Sequence, residues 1–143
     1  MEKLFTNLKA FFIVLLALYL FHVPAFAETD VQSAFKQQII TAQQSKNIDN
    51  VKPLFYLDGV TLEVIKMMEF NFQAVLGSSG DSLAFEPLPA DFKPEKDIGG
   101  IIYHPTLTPV GQVSLKIQQG SASLTSFLPY GEHNGKLFFI GYK

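Results

Sequence analysis

Asn134-Gly135 constrains this chain more than any other dipeptide, because it stands between two apolar stretches, about Ala122 to His133 and Lys136 to Tyr142. Asparagine and glycine both accept the positive φ that a type I′ turn demands at its two central positions, so the pair predicts an antiparallel hairpin with its tip there. The tip sets the register. His133 opposes Lys136, Glu132 opposes Leu137, Tyr130 opposes Phe139 and Pro129 opposes Ile140. Side chains alternate along a strand, so the adjacent Glu132 and His133 point apart and cannot act together on one substrate atom as an acid-base dyad.

The same alternation places Leu128, Tyr130, Leu137 and Phe139 on one face and Phe127, Phe138, Ile140 and Tyr142 on the other. Antiparallel sheets ordinarily leave one face wet. A hairpin that is apolar on both needs a cover on each, so its second face must meet a loop, a ligand cavity or another subunit. Pro129 lacks an N–H and would interrupt a ladder bond to Ile140; a bulge near Gly131 would shift the register.

Upstream, the pattern is helical. Asp30 is read as the cap of a helix running to about Lys46, in which Val31, Phe35 and Ile39 recur at four-residue spacing. Ile48, Val51, Leu54 and Phe55 suggest a short helical turn before Asp58-Gly59. Thr61 caps a third helix, Leu62 to Leu76, with Ile65, Met68, Phe72 and Val75 on one stripe and Gly77 in the place of a left-handed C-cap. Met67 and Phe70 lie off that stripe, so the helix is either covered on a further side or presents apolar surface to a partner. After Gly80 short extended runs take over: Leu83-Ala84-Phe85, then Ile101 to His104 behind Gly99-Gly100, then Gln112 to Gln118. The stretch from Pro87 to Lys96 reads as a surface connection or a flap.

At the other end, Lys3 and Lys9 precede an apolar run from Ala10 to Phe21, followed by Pro24 and Ala25-Phe26-Ala27. That order is a secretory leader cleaved after Ala27, and the run is too short to cross a bilayer. The expectation is a signal peptide at 1–27 and one domain at 28–143, periplasmic or extracellular, touching membrane only through the leader. There is no cysteine, so an exported fold must hold by its core, without disulfides. Without the leader's Lys3, Lys9 and Glu2, the eleven basic and thirteen acidic residues become nine and twelve, a formal charge of −3. Every basic residue is lysine, which excludes the bidentate forks and basic stripes of nucleic-acid recognition.

Catalytic signals are thin. His104 and His133 stand far apart, with no metal-ligand spacing and no cysteine, so neither a metal site nor a cofactor is expected. No serine lies in a nucleophile motif, and Gly77-Ser78-Ser79-Gly80 follows a helix where a phosphate cradle would open one. Asp58 and Glu63 are explained by turn and helix-start chemistry. The candidate ligand-binding residues are Tyr103, His104, Tyr130 and Phe139, with no catalytic residue assigned.

The segment SAFKQQIITAQQSKNIDNVKPLFYLDGV, residues 33–60, resembles the opening of the nuclear transport factor two-like superfamily. The following TLEVIKMMEFNFQAVLG is similar to that superfamily's third helix, and the strands after Gly80 to its curved sheet. Ile101 to Tyr142 also resembles a cystatin-like sheet wrapped on a helix. The likeness rests on element order, so it carries over no functional position. It implies an α+β fold with N-terminal helices packed on a curved antiparallel sheet of about four strands, enclosing a pocket. Isomerases, dehydratases, binding domains and dimerisation modules all occur in that superfamily. The functional expectation is an exported, non-catalytic domain that binds a small apolar ligand or a partner, either an envelope protein or a second copy in a homodimer. The alternatives are a cup-shaped lyase or isomerase using His104 with a carboxylate such as Asp58 or Glu132, and an inhibitory module contacting envelope proteins through the Pro87 to Lys96 loop.

Overall fold

The computed structural model describes residues 28–143; the expected signal peptide at 1–27 lies outside the described residues. Helix α1 (Asp30–Ser45) starts one residue earlier than expected at the cap. Thr29 accepts from the Gln32 N–H while the Gln32 side chain accepts from the Thr29 N–H, a reciprocal capping box. Asp30 is then the first residue inside, where its charge favours the helix start. Phe35, Ile39 and Ala42 form the buried stripe of α1, and Lys46 ends it at φ 52°. Two 3-10 turns follow, Ile48–Asn50 and Lys52–Leu54, and lead directly into strand β1 (Phe55–Tyr56).

The expected third helix is two helices, α2 (Leu62–Met67) and α3 (Glu69–Gly77). Thr61 caps α2 as the sequence suggested, but Met68, at ψ −1°, leaves the helical path between them. Met68, Phe72 and Val75 are buried, whereas Met67 and Phe70, on either side of the break, are exposed. Gly77 is not left-handed: it closes α3 and lets Ile117 approach, and an added Cβ would lie 3.4 Å from the Ile117 Cγ2.

The remaining strands are β2 (Ala84–Glu86), β3 (Lys96–Ile98), β4 (Ile101–Tyr103), β5 (Gly111–Gln119), β6 (Ala122–His133) and β7 (Lys136–Ile140). The fold is α+β, with two corrections. The main sheet has five strands, ordered β1-β7-β6-β5-β2, and it is mixed, because β1 runs parallel to β7. A two-residue strand leaves no alternation to read, so Phe55 had been grouped with the preceding helical turn, and β1 interrupts the run of helices. The second correction is that β3 and β4 form a separate two-stranded ribbon. Its first strand falls where the sequence suggested the end of a loop.

The hairpin register is the expected one from His133↔Lys136 to Tyr130↔Phe139. No bulge is needed: Pro129 lies just past the end of that ladder and pairs with Gln112 of β5 on its other side. The Leu128, Tyr130, Leu137 and Phe139 face is wholly buried. Phe139 is its centre, with the Phe35 and Phe55 rings each 5.0 Å away and Phe72 edge-on to Phe55 at 4.9 Å. Burying a side chain of that size stabilises the fold by about 1.5–3 kcal/mol.

The second face is covered over part of its length, by a loop. Residues 104–106 pair beside 141–143 through reciprocal bonds between His104 and Lys143 and a bridge at Pro105↔Tyr142. The Thr106 hydroxyl donates to the Tyr56 carbonyl and accepts from the Gly141 N–H, tying loop, β1 and chain end together. Gly131 makes room for this loop, since a Cβ there would sit 2.7 Å from the Thr108 carbonyl oxygen. Ile140 is buried beneath it, Tyr142 is buried against the helices on its own side, and Phe127 stays 52% exposed.

Candidate functional site

Four elements meet where the β3–β4 ribbon lies beside the broken helix. In an antiparallel pair, opposed residues share a face, so Lys96↔Tyr103 and Ile98↔Ile101 point one way and Asp97↔Ile102 the other. Lys96, Ile98 and Tyr103 turn toward the helices and line a cleft of about 170 Å³. Helix α2 supplies Val64 and Met67, α3 supplies Phe70 and Asn71, and Met68 sits between them. The remaining wall is Tyr142, brought in by the pairing of the chain end with residues 104–106.

Two polar groups at this cleft are unusual. The Tyr142 hydroxyl is buried with no hydrogen-bond partner, and it is the one side-chain atom among the described residues in that condition. Leaving such a group unpaired costs about 1–3 kcal/mol. Burial also pushes its pKa up to about 12, since the phenolate would lose its solvation. Beside it, the Lys96 ammonium lies 4.6 Å from the centre of the Tyr142 ring. Partial desolvation there lowers the Lys96 pKa from the ordinary lysine value. The residue as a whole remains exposed, so this is a local effect at the ammonium end of the side chain. Among the described residues no carboxylate lies within ion-pair reach of Lys96. Its neighbour Asp97 instead accepts from the Gly100 N–H at 2.9 Å.

The rim is apolar. Phe70 is 64% exposed and Ile101 58%, and Met67 and Ile98 also present large surfaces to water. Scattered exposed apolar residues are ordinary; a contiguous group around a recess is informative. A larger concavity, about 760 Å³, lies along α1 between Gln37, Gln38 and Thr41 and the turn carrying Asn50 and Pro53. It is lined by glutamines, small side chains, Pro53 and Leu54, with no charged group among them. The smaller cleft holds the chemistry.

The four residues singled out from the sequence are dispersed. Tyr103 lines the cleft. His104 faces solvent, its Nδ1 3.0 Å from Glu95 Oε1, with both side chains more than half exposed. The carboxylate beside it is therefore Glu95, where the sequence suggested Asp58 or Glu132. Tyr130 accepts a hydrogen bond from the Gln32 amide at 3.0 Å and packs against Phe85 in the core. Phe139 has no exposed surface and is a core residue. His133 stacks near Tyr56, its Nε2 3.4 Å from that hydroxyl and 3.0 Å from the Asn134 amide nitrogen. Lys96, Met67, Phe70 and Tyr142 were not assigned to a site from the sequence; the off-stripe position of Met67 and Phe70 was the available signal.

Among the described residues, no group of three or more histidines and carboxylates is placed to hold a metal ion, and no helix is long and apolar enough to cross a membrane. Comparison of the chain with protein families, with curated proteins and with solved structures found no match.

Proposed function

We propose that this is an exported, non-catalytic binding domain whose working surface is the apolar rim around the α2–α3 and β3–β4 cleft. The observation that carries the reading is the grouping of Met67, Phe70 and Ile98, all exposed, around a recess walled also by Tyr103 and Tyr142. Drug-sized ligands usually occupy about 300–1,000 Å³. A cleft of about 170 Å³ suits one anchoring group of a larger partner, ringed by apolar contacts that exclude water. An envelope protein fits this role better than a free apolar ligand. The exposed His104–Glu95 pair supports no lyase or isomerase reading, because a general base needs a substrate pocket around it. The proposed relationship to the cone superfamily agrees with a binding role and adds no residue to it.

The test is site-specific photo-crosslinking in cells that export the protein, with the reactive residue at position 70 or at position 38 in the α1 groove. Discrete adducts at position 70 and none at 38 are the expected result. Equal labelling at both positions, or none at 70, would overturn the assignment of the surface.

A further inference from the structure

Strand β6 outruns its neighbour on one side. From Ala122 to Tyr130 it pairs with β5, but β7 covers only Tyr130 to His133 on the opposite side. Among the described residues no other strand or isolated bridge pairs with residues 122–129 on that side. Two tight turns fix which backbone groups this leaves open. Asn134-Gly135 makes His133 and Lys136 a hydrogen-bonded pair, so every second residue back from His133 directs its N–H and C=O toward the β7 side: Gly131, Pro129, Phe127, Thr125 and Ser123. From the other end, Gly120 at φ 63° leads a two-residue turn that makes Gln119 and Ala122 such a pair, which gives the same alternation. Two bonds agree with it. The Tyr130 carbonyl accepts from Val110, the residue before β5, and the Lys116 carbonyl points off the far edge of β5 to the Ser79 N–H. Pro129 therefore has its missing donor on the β7 side. Ser123, Thr125 and Phe127 present donors and acceptors to an open edge, and all three are exposed.

We infer that this edge pairs with the same edge of a second copy of the chain, antiparallel about a two-fold axis at Leu124. Open edges are ordinarily blunted by charged side chains or proline. Here the chain is net acidic, yet Ile117 to Gly131 contains no charged residue, so two copies can meet where neither carries charge. The position of the axis follows from the length of the opening. In the register of the hairpin Ile140, the last residue of β7, falls opposite Pro129, so a second strand centred on Thr125 would bring its Ser121 into the place of Ile140. Centred on Leu124, Ser123 of each copy pairs with Thr125 of the other, which gives about four backbone hydrogen bonds. Leu124, 48% exposed, then meets Leu124 of the other copy on one face of the joined sheet. On the other face Lys116, beside Thr125, falls in one row with Gln118 of the second copy, so no like charges are opposed. No residue of this edge lines the cleft, and the inference is independent of the binding surface proposed above.

Sedimentation velocity of the exported protein from about 10 μM to about 1 mM is the test. Strand pairing over so short a stretch buries less than the ~1,200 Å² of a stable interface, so a dissociation constant on the order of 100 μM is expected. Thr125→Pro removes one outward donor and leaves the bonds to β5 intact, as Pro129 does, and Leu124→Lys sets two ammonium groups against each other; each should weaken the dimer by roughly tenfold or more. Leu124→Glu should do the same alone. An equimolar mixture of the Leu124→Lys and Leu124→Glu variants should restore the dimer, a result that neither misfolding nor a different register would give. In amide hydrogen exchange, Ser123 and Thr125 should gain protection as concentration rises. The inference is overturned by a protein that stays monomeric across the range, by a dimer that Thr125→Pro and Leu124→Lys leave intact, or by a charge-swapped mixture that remains monomeric. Protection of these amides only on addition of another envelope protein would overturn it as well, since the occupant would then be a foreign strand. Crosslinking at position 70 reports on the cleft alone, so the two proposals stand or fall separately.

Discussion

The β6–β7 hairpin and the β3–β4 ribbon are built on the same turn and have opposite fates. Asn134 and Gly135 sit at φ 51° and 74°, Gly99 and Gly100 at 64° and 84°, so both tips have the two positive φ values of a type I′ connection. Around the first, Leu137, Phe139 and Ile140 are buried between α1 on one side and the 104–110 loop on the other. Around the second, Ile98, Ile101 and Ile102 stay largely in water. A turn brings two strands together, but it says nothing about what will lie above and below them. The covered hairpin became the core, and the uncovered ribbon became the wall of the cleft. An isolated two-stranded ribbon is marginal by itself, so this one depends on what lies beside it.

This contrast can be broken by paired substitutions. Phe139→Ala should lower unfolding free energy by about 3–5 kcal/mol, as a large ring lost from a closed core does, whereas Ile102→Ala, on the outward face of the ribbon, should change it by less than about 0.5 kcal/mol. Urea denaturation of both measures the difference; comparable losses would mean that the ribbon is as structurally integral as the hairpin.

Glycines sharpen the comparison next. Gly131→Ala forces a Cβ against the Thr108 carbonyl and Leu107 and is expected to cost about 1–3 kcal/mol. Gly99→Asn, in open space and with a side chain that accepts positive φ, should stay within about 0.5 kcal/mol. Thermal melts of the two variants provide the check.

Tyr142→Phe is expected to go the other way. Removing a buried hydroxyl that has no partner should raise stability by about 1 kcal/mol. The pH dependence has a defined sign. The folded state holds the Tyr142 proton up to about 12 against an ordinary value of 10.0, so its contribution is complete below 10.0 and is lost as pH climbs through 12. Phenolate absorbance should therefore show one late-ionising tyrosine that vanishes in the variant, whose folded state should also persist to higher pH. The smallest effect is His104→Gln. Its exposed pairing with Glu95 should contribute no more than about 0.5 kcal/mol, and a larger loss on denaturation would give that pair a structural role.

The hairpin tip, its register and the opposite orientations of Glu132 and His133 were legible because each depends on residues within a few positions of one another. Helix caps were nearly so: Thr61 was read correctly, while Thr29 outcompeted Asp30 because its hydroxyl and Gln32 satisfy each other's backbone donors. Strand β1 was not legible, since two residues carry no period, and its parallel pairing is a contact with the far end of the chain. Nor was the helix break at Met68, which occurs without proline or glycine to mark it. Of the cleft, the sequence showed Tyr103 and the surplus of apolar residues on the third helix, and nothing of Lys96 beside Tyr142.

By itself, then, the order of residues determined two-faced greasiness, the tight turns and the poverty of catalytic groups, because backbone sterics and side-chain alternation act locally. Packing between distant segments decided which apolar face was closed by the 104–110 loop and which surfaces stayed open. It also set Lys96 over Tyr142. The reason is that burial is a competition for cover among segments far apart along the chain, and its outcome exists only once all of them have been placed.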